Sequence, residues 1–188
     1  MEKIAGVPVH PEGQFLPDTY QFTKGNRDID ILKRAFDLKE VYLQQEWDKR
    51  AQGLPLNDPY EALILASIVE KETAKKEEYA QVAGVFVRRL QQGMLLQTDP
   101  TVIYGMGSEY DGNIRRKDLA QDTPYNTYVH AGLPPTPIAM PGRNAIHAVL
   151  HPDDTDALYF VATGDGGHHF SATLKEHINA VRKYQIKK

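Results

Sequence analysis

Apolar residues recur at spacings of three and four along several stretches of the chain, and each such stretch predicts a helix. The first runs from Asp28 to about Arg50, where Ile31, Leu32, Ala35, Leu38 and Tyr42 mark one face and Asp28 is a plausible cap. "QGLPLNDP" then breaks the pattern, with Asn57 or Asp58 as N-cap and Pro59 at the first helical position. A helix is expected from there to about Thr73, and another to about Gln92, stopped by Gly93. "NAIHAVLHP" predicts a short helix, and a last one runs from about Leu174 to Tyr184. "ALYFVATGDGGHHFSA" has a different rhythm: two β-rich runs around Gly-Asp-Gly-Gly, a β-hairpin.

Two regions lack a clear period. Met1–Gly25 is rich in Pro and Gly and is expected to be loop with short extended pieces. The stretch from "MLLQTDPTVIYGMG" through "TPYNTYVHAGLPPTPIAMPG" is dense in Gly, Pro, Asn and Thr, yet its Tyr, Ile, Leu and Met content argues against disorder. A long irregular segment of that kind in a folded domain points to function. No repeat or low-complexity segment is present. The fold class read from these elements is α+β, with 1–57 as a lead-in and helix and 58–188 as the core of a single domain.

Composition narrows the function classes. The chain has 188 residues, 41% hydrophobic and 25% charged, which is enough for one real core. Its net charge of -3, with Lys and Arg interleaved among acids, shows no basic stripe for nucleic acid. The absence of cysteine excludes disulfides, thiol nucleophiles and Cys-ligated zinc. There is no apolar run of membrane-span length and no signal-peptide core.

Chemistry enters at "ALILASIVEKETAKKEEYA", an apolar helix that turns charged at Glu70 and Glu72. On a helical wheel Leu65 falls within about 20° of Glu72, with Ile68 and Val69 about 40° and 60° to its two sides. Glu70 lies roughly 160° away, with Leu63, Ala66 and Ser67. Glu72 thus continues the inward apolar stripe, where lost hydration raises a carboxyl pKa and keeps its proton available for general-acid work. The competing reading is a glutamate that merely reaches solvent at a helix end.

Six phrases then stand together in one order: "EGQFLPDTY", "ASIVEKET", "LQTDPTVIYGMG", "YNTY", "GLPP" and "YFVATGDGGHHFS". In order and spacing they resemble the YceG-like, MltG-type endolytic murein transglycosylases, from about Glu12 to the final helix. The resemblance implies a lysozyme-like helical catalytic core with a small β-hairpin region, and makes Glu72 the catalytic residue, the same one the wheel selects. It further resembles the pattern of lysozyme-like lytic transglycosylases, in which Glu-Ser, a Gln phrase and Tyr-Asn follow one another. Glu72-Thr73, Gln97 and Tyr125-Asn126 match that order. The resemblance implies that Gln97 and Asn126 hold sugar amide or hydroxyl groups, that Tyr125 packs near the glutamate, and that Thr73 belongs to the site. The family's proline-rich phrase runs closer to "GLPPGPIANPG"; this chain has Thr136 and Met140 there, which touches loop shape and subsite detail.

The implied reaction is cleavage of the MurNAc–GlcNAc bond within peptidoglycan strands, leaving 1,6-anhydroMurNAc ends and limiting strand length. Such an enzyme needs one carboxyl group where ordinary glycosidases need two. The rivals are a non-catalytic glycan-binding domain and a hydrolytic muramidase. Implied partners are glycan strands and cell-wall synthases of the penicillin-binding class, with no nucleic acid and no cofactor. Family members carry an N-terminal membrane helix and a LysM-like module, so this chain is expected to be the catalytic portion. The implied address is the periplasmic face of the cytoplasmic membrane.

Other side chains have two readings each. Asp99 before Pro100 is either a turn cap or a group that contacts glycan or orients Glu72. Glu12 is either structural or at the cleft edge. Tyr104 and Tyr128 are either core or the floor of a sugar groove. Among His147, His151, His168, His169 and His177 no His-x-x-x-His pair and no HExxH phrase is read, so no metal is expected. His168 and His169, adjacent in a strand, point to opposite faces, and the family position matches His168. No Gly-x-Ser-x-Gly elbow supports a serine hydrolase.

Overall fold

The computed structural model describes residues 1–6 and 9–186. Val7 and Pro8, within the expected lead-in loop, and the last two lysines lie outside the described residues. The chain begins with a short helix, α1 (Glu2–Ala5), inside the region expected to be loop. Then come α2 (Asp28–Asp48), α3 (Pro59–Glu72), α4 (Tyr79–Gln91), α5 (Asp99–Met106), α6 (Arg116–Leu119) and α7 (Arg143–Leu150). Strands β1 (Tyr159–Ala162) and β2 (His168–Ser171) form the hairpin, and α8 (Leu174–Val181) runs on into a π turn, Arg182–Ile186. A helical body with one two-stranded antiparallel sheet is the α+β class expected.

Helix α3 is the centre. Asp58 caps it by accepting the Glu61 N–H at 2.9 Å, with Pro59 in the first turn where its missing N–H costs nothing. Every residue from Ala62 to Val69 is buried, because α4 and α7 pack on it and α2 and α5 cover further sides. Leu16, Leu43 and Leu56 join the same apolar core as Leu65, Phe86, Ile146 and Leu150, so the lead-in shares that core. Gly13 sits at φ 78°, and a Cβ there would come within 2.6 Å of Pro137. Only glycine lets "EGQF" lie against "TPIAMPG".

Two elements differ from their sequence reading. The buried positions of α2 are Ala35, Lys39 and Leu43, whereas Leu32 and Leu38 are exposed. Lys39 is 2% exposed and donates to Gln14 at 2.9 Å and to Glu40, its ammonium 4.7 Å from the centre of the Phe36 ring. A paired ammonium on an aliphatic stem takes a core position that a hydropathy pattern assigns to leucine. The second difference is α5, formed by "DPTVIYGM". Its β-branched residues, Gly and Pro read as loop, but Pro100 occupies the first turn and Thr101 and Val102 are buried.

The hairpin is as read. Tyr159 pairs with Ser171, Phe160 with Phe170 and Ala162 with His168. The turn is closed by Asp165, which accepts from Thr163 Oγ1 at 2.5 Å and from Gly167 N–H at 3.0 Å. Phe160 meets Phe86 of α4 edge-on at 5.8 Å, fastening the sheet to the core.

Burial all round α3 has a consequence for Glu70. It is half-buried and bonded: its carboxylate accepts from Gly142 N–H at 2.9 Å and Tyr79 Oη at 3.2 Å. Burial and the Glu70 charge push the Tyr79 phenol up to about 12. Glu70 therefore bolts α3 to α4 and to the start of α7. We expect Glu70→Ala to cost about 1–3 kcal/mol in urea unfolding, the range for lost bonds to a charged group. Turnover per folded molecule should hold, and Glu70→Gln should lose less.

Candidate active site

The last turn of α3 delivers Glu72 to a cleft of about 470 Å³. Gln97, Asp99 and Tyr128 line it from the α5 side, Phe160 and His168 from the hairpin, and His177 from α8. Arg89 of α4 completes it. Glu72 is half-buried, and its Oε2 accepts a 2.6 Å bond from Thr98 Oγ1. Burial is the strongest influence on it and raises its pKa, and the Asp99 charge adds to this. The Thr98 bond and the charges of His168 and Arg89 pull the other way without reversing the shift.

The chain holds this arrangement by joining two distant phrases. Gln97 N–H donates to Thr127 O at 3.1 Å, Thr98 N–H to Thr127 Oγ1 at 3.2 Å, and Thr101 Oγ1 lies 2.8 Å from Thr127 Oγ1. "LQTDPT" and "YNTY" are thus locked side by side around buried threonines. Gln97 has φ 49°, and among the described residues it alone takes positive φ without being glycine. Non-glycine residues in that region carry strain and cluster at functional sites. Gly105 of α5 lies so close to the same segment that a Cβ would come within 2.7 Å of Thr123 Oγ1.

Of the residues singled out from sequence, Glu72, Gln97, Asp99 and His168 share the cleft, and Tyr128 lines it too. Asp99 opens α5 and accepts from Tyr128 Oη at 2.6 Å, a bond that, after burial, pushes the phenol far up. Asn126 does not face the cleft. Its amide nitrogen donates to the carbonyls of Asp118, Leu119 and Gln121, and its oxygen accepts Tyr128 N–H. That buried amide is spent on backbone, so its placement supports loop-holding and not sugar contact. Tyr125 is also outside the cleft, hydrogen-bonded to Thr136 at 2.9 Å and packed on Tyr104 at 4.8 Å. Thr136, where the family phrase has glycine, is therefore the partner of Tyr125. Glu12 lies near Tyr104, whose phenol is raised by burial and then by the Glu12 charge. Neither Glu12 nor Tyr104 lines the cleft.

Thr73 acts at one remove. It is buried, accepts Lys75 N–H at 3.1 Å, and donates to Glu78 Oε2 at 3.3 Å. Glu78 in turn bonds His168 Nδ1 at 2.7 Å and accepts its backbone N–H at 3.0 Å. Burial would raise the Glu78 carboxyl, but the His168 bonds outweigh it and the net shift is downward. With Nδ1 held, His168 has Nε2 left for the cleft.

Sequence reasoning missed three residues of the site. Thr98 touches the acid directly, yet in the sequence it is one threonine among several. Arg89 is 8% exposed and donates to Leu158 O and Leu96 O, both at 2.7 Å, which brings a positive charge with no salt bridge among the described residues to the cleft. His177 stacks on Tyr159 at 5.2 Å, and its buried Nδ1 has no hydrogen-bond partner among the described residues. Burial and then the Arg89 charge lower its pKa. An arginine followed by long stretches of chain gives no local signal of these contacts. The histidine reading also needs correcting: His147 and His151 are four residues apart on α7, a His-x-x-x-His spacing.

This geometry agrees with what the chain is similar to. A model of the YceG-like family matches residues 2–183. An endolytic murein transglycosylase of Bacillus subtilis (strain 168) is 40% identical over 176 residues, 93% of this chain and 48% of the relative. One from Streptococcus pneumoniae serotype 2 (strain D39) is 31% identical over 179 residues, 93% of this chain and 32% of the relative. A crystal structure of a YceG-like protein from Listeria monocytogenes superposes with a TM-score of 0.77 at 35% identity, covering 95% of this chain and 58% of that one. The chain spans about half the length, or less, of the curated relatives it matches. With the family match running over nearly the whole chain and the fold shared at that identity, the chain belongs to the YceG-like family.

Proposed function

We propose that this chain carries the catalytic site of an endolytic murein transglycosylase, with Glu72 as its acid and then its base. The observation that carries the reading is one half-buried carboxyl, raised in pKa, at the floor of a cleft with a hydroxyl donor on its oxygen. The substrate is a peptidoglycan strand, and the bond cut joins MurNAc to GlcNAc. Glu72 protonates the bridging oxygen as the bond to the MurNAc anomeric carbon breaks. It then takes the proton from the MurNAc C6 hydroxyl as that oxygen closes the 1,6-anhydro ring. Water is not consumed, and no second carboxylate is required.

The surroundings suit both halves. Burial and the Asp99 charge favour the acid form that donates; Thr98, His168 and Arg89 favour the carboxylate left behind. Gln97 supplies amide chemistry and Tyr128 an aromatic wall beside the acid. The proposed address is the cell envelope, where the substrate is. Among the described residues no helix is long and apolar enough to cross a membrane. Cell-wall synthases are the partners such an enzyme would serve.

Glu72→Gln should abolish turnover by more than the roughly 10² to 10⁴ usual for one acid–base group, because one residue does both jobs. Mass spectrometry of digested peptidoglycan reads it: anhydro ends from the wild type alone support the proposal. Reducing ends would make the enzyme a hydrolase, with Asp99 the first candidate base, and saccharide binding without products would make it a binding module. Stability supplies an independent check. A carboxyl whose pKa is raised on folding holds its proton more tightly in the native state, so stability is lost as pH rises through that raised value. Glu72→Gln should therefore unfold at higher denaturant than the wild type at neutral pH, with the gap closing in acid.

Thr98→Val tests the poise of the acid. Removing the hydroxyl deletes a bond that lowers the Glu72 pKa, so the alkaline limb of the rate profile should move to higher pH. An unchanged limb would sever Thr98 from the chemistry. Gln97→Gly should relieve the positive φ, holding or raising the melting temperature while weakening catalysis.

A further inference from the structure

Away from the cleft, three ligand-type side chains converge where α2 crosses α7. Glu46 Oε2 lies 2.7 Å from His147 Nδ1 and 3.2 Å from His151 Nε2. One oxygen thus receives both imidazoles, and all three donor atoms lie within 4.8 Å of one another. The rings stand 4.4 Å apart at 31°, side by side on one face of α7 as a four-residue spacing requires. None of the three lines the cleft around Glu72.

We propose that Glu46, His147 and His151 form a binding site for a divalent transition cation of zinc chemistry, which clamps α2 to α7. Two imidazoles and a carboxylate are a known zinc donor set, and tetrahedral ligands at zinc bond lengths stand about 3.3 Å apart. The separations here reach that value with small side-chain rotations. Nitrogen donors in the majority select against Mg²⁺ and Ca²⁺, which want oxygen. The exposures fit an open site: Glu46 is 15% exposed and His151 30%, whereas His147 at 58% leaves room for a water as fourth ligand. The position in α7 fits too, because His147 lies in the last turn and His151 caps it, where the helix dipole favours positive charge. The neighbouring cation does not compete: Arg143 is drawn to the Tyr42 ring at 4.7 Å and to Asp18 at 3.6 Å. Binding would couple the lead-in to the core, since α7 packs on α3 and α4 and α2 carries the N-terminal segment.

The test is calorimetric titration of Zn²⁺ into the chelator-treated protein, with thermal unfolding run alongside. The expected result is one saturable equivalent of micromolar affinity and a melting temperature that rises with Zn²⁺ but not with Mg²⁺. His147→Gln and His151→Gln keep an N–H that reaches Glu46 but lose the ligand. Each should weaken that equivalent by about 100-fold or more, the upper end of what even an indirect ligand contact costs. His169→Gln, at an exposed histidine elsewhere, should leave it intact. No saturable binding below the millimolar range would overturn the site, as would full binding by the His147→Gln, His151→Gln double variant. Either result would leave only a His147–Glu46 hydrogen bond with His151 beside it.

Discussion

A carboxyl group held half-buried at the end of a helix whose every residue from Ala62 to Val69 is buried is the constraint on which the rest depends. Taking Glu72 out of water is unfavourable for its ionised form, and among the described residues no arginine or lysine forms a salt bridge with it to offset that. What bears the cost is the packing of α3: eight consecutive buried residues, with α4 and α7 against them. Such packing is what a surface helix with one apolar stripe lacks. The same burial turns Glu70 into a tie between elements, so two glutamates a residue apart are used differently, one bonded between helices and the other presented to the cleft.

Holding a cleft residue in an uncommon backbone conformation needs a similar offset. Gln97 keeps its positive φ because the strand-like pairing of "LQT" with "YNTY" fixes its amide and that of Thr98 on one residue, Thr127. Asn126 secures the far side of that pairing by binding three carbonyls at once. Residues that look like sugar ligands in the primary structure are thus divided: some face the cleft, and others make the frame that faces them there. Thr73, Glu78 and His168 repeat the arrangement across the other edge.

Which parts were legible follows from the range of the interactions. Asp58 and Pro59 and the Gly-Asp-Gly-Gly turn are local, and sequence spacing reads them well. Helical periodicity set Glu72 apart from Glu70 by direction, but it could not show that both directions are buried. Where side chains are amphipathic the pattern misled: Lys39 is core in α2 and Leu38 is not. Helix α5 was hidden by residues that suit turns, although its proline lies where a helix accepts one. Thr98, Arg89 and His177 reach the cleft through contacts dozens of residues apart, for which one sequence carries no periodic signal. His147 and His151 are the opposite case, a local spacing that gains meaning only when α2 brings Glu46 beside it.

The opposed influences on Glu72 bear on why a single acid suffices in the reaction proposed. A carboxyl pushed up by burial alone would donate its proton well and be a poor resting place for the negative charge that follows. One stabilised only by Thr98, His168 and Arg89 would stay ionised and never donate. A residue that must give a proton and then take one back works best between those limits, near the operating pH. Here Asp99 of α5, which raises its pKa, is itself held by Tyr128, while Arg89 and His168, which lower it, are anchored by backbone carbonyls and by Glu78, and the Thr98 backbone is held by Thr127. Each of these neighbours is thus fixed by bonds other than those it makes to the glutamate, which lets the proposed site keep its poise while the proton moves.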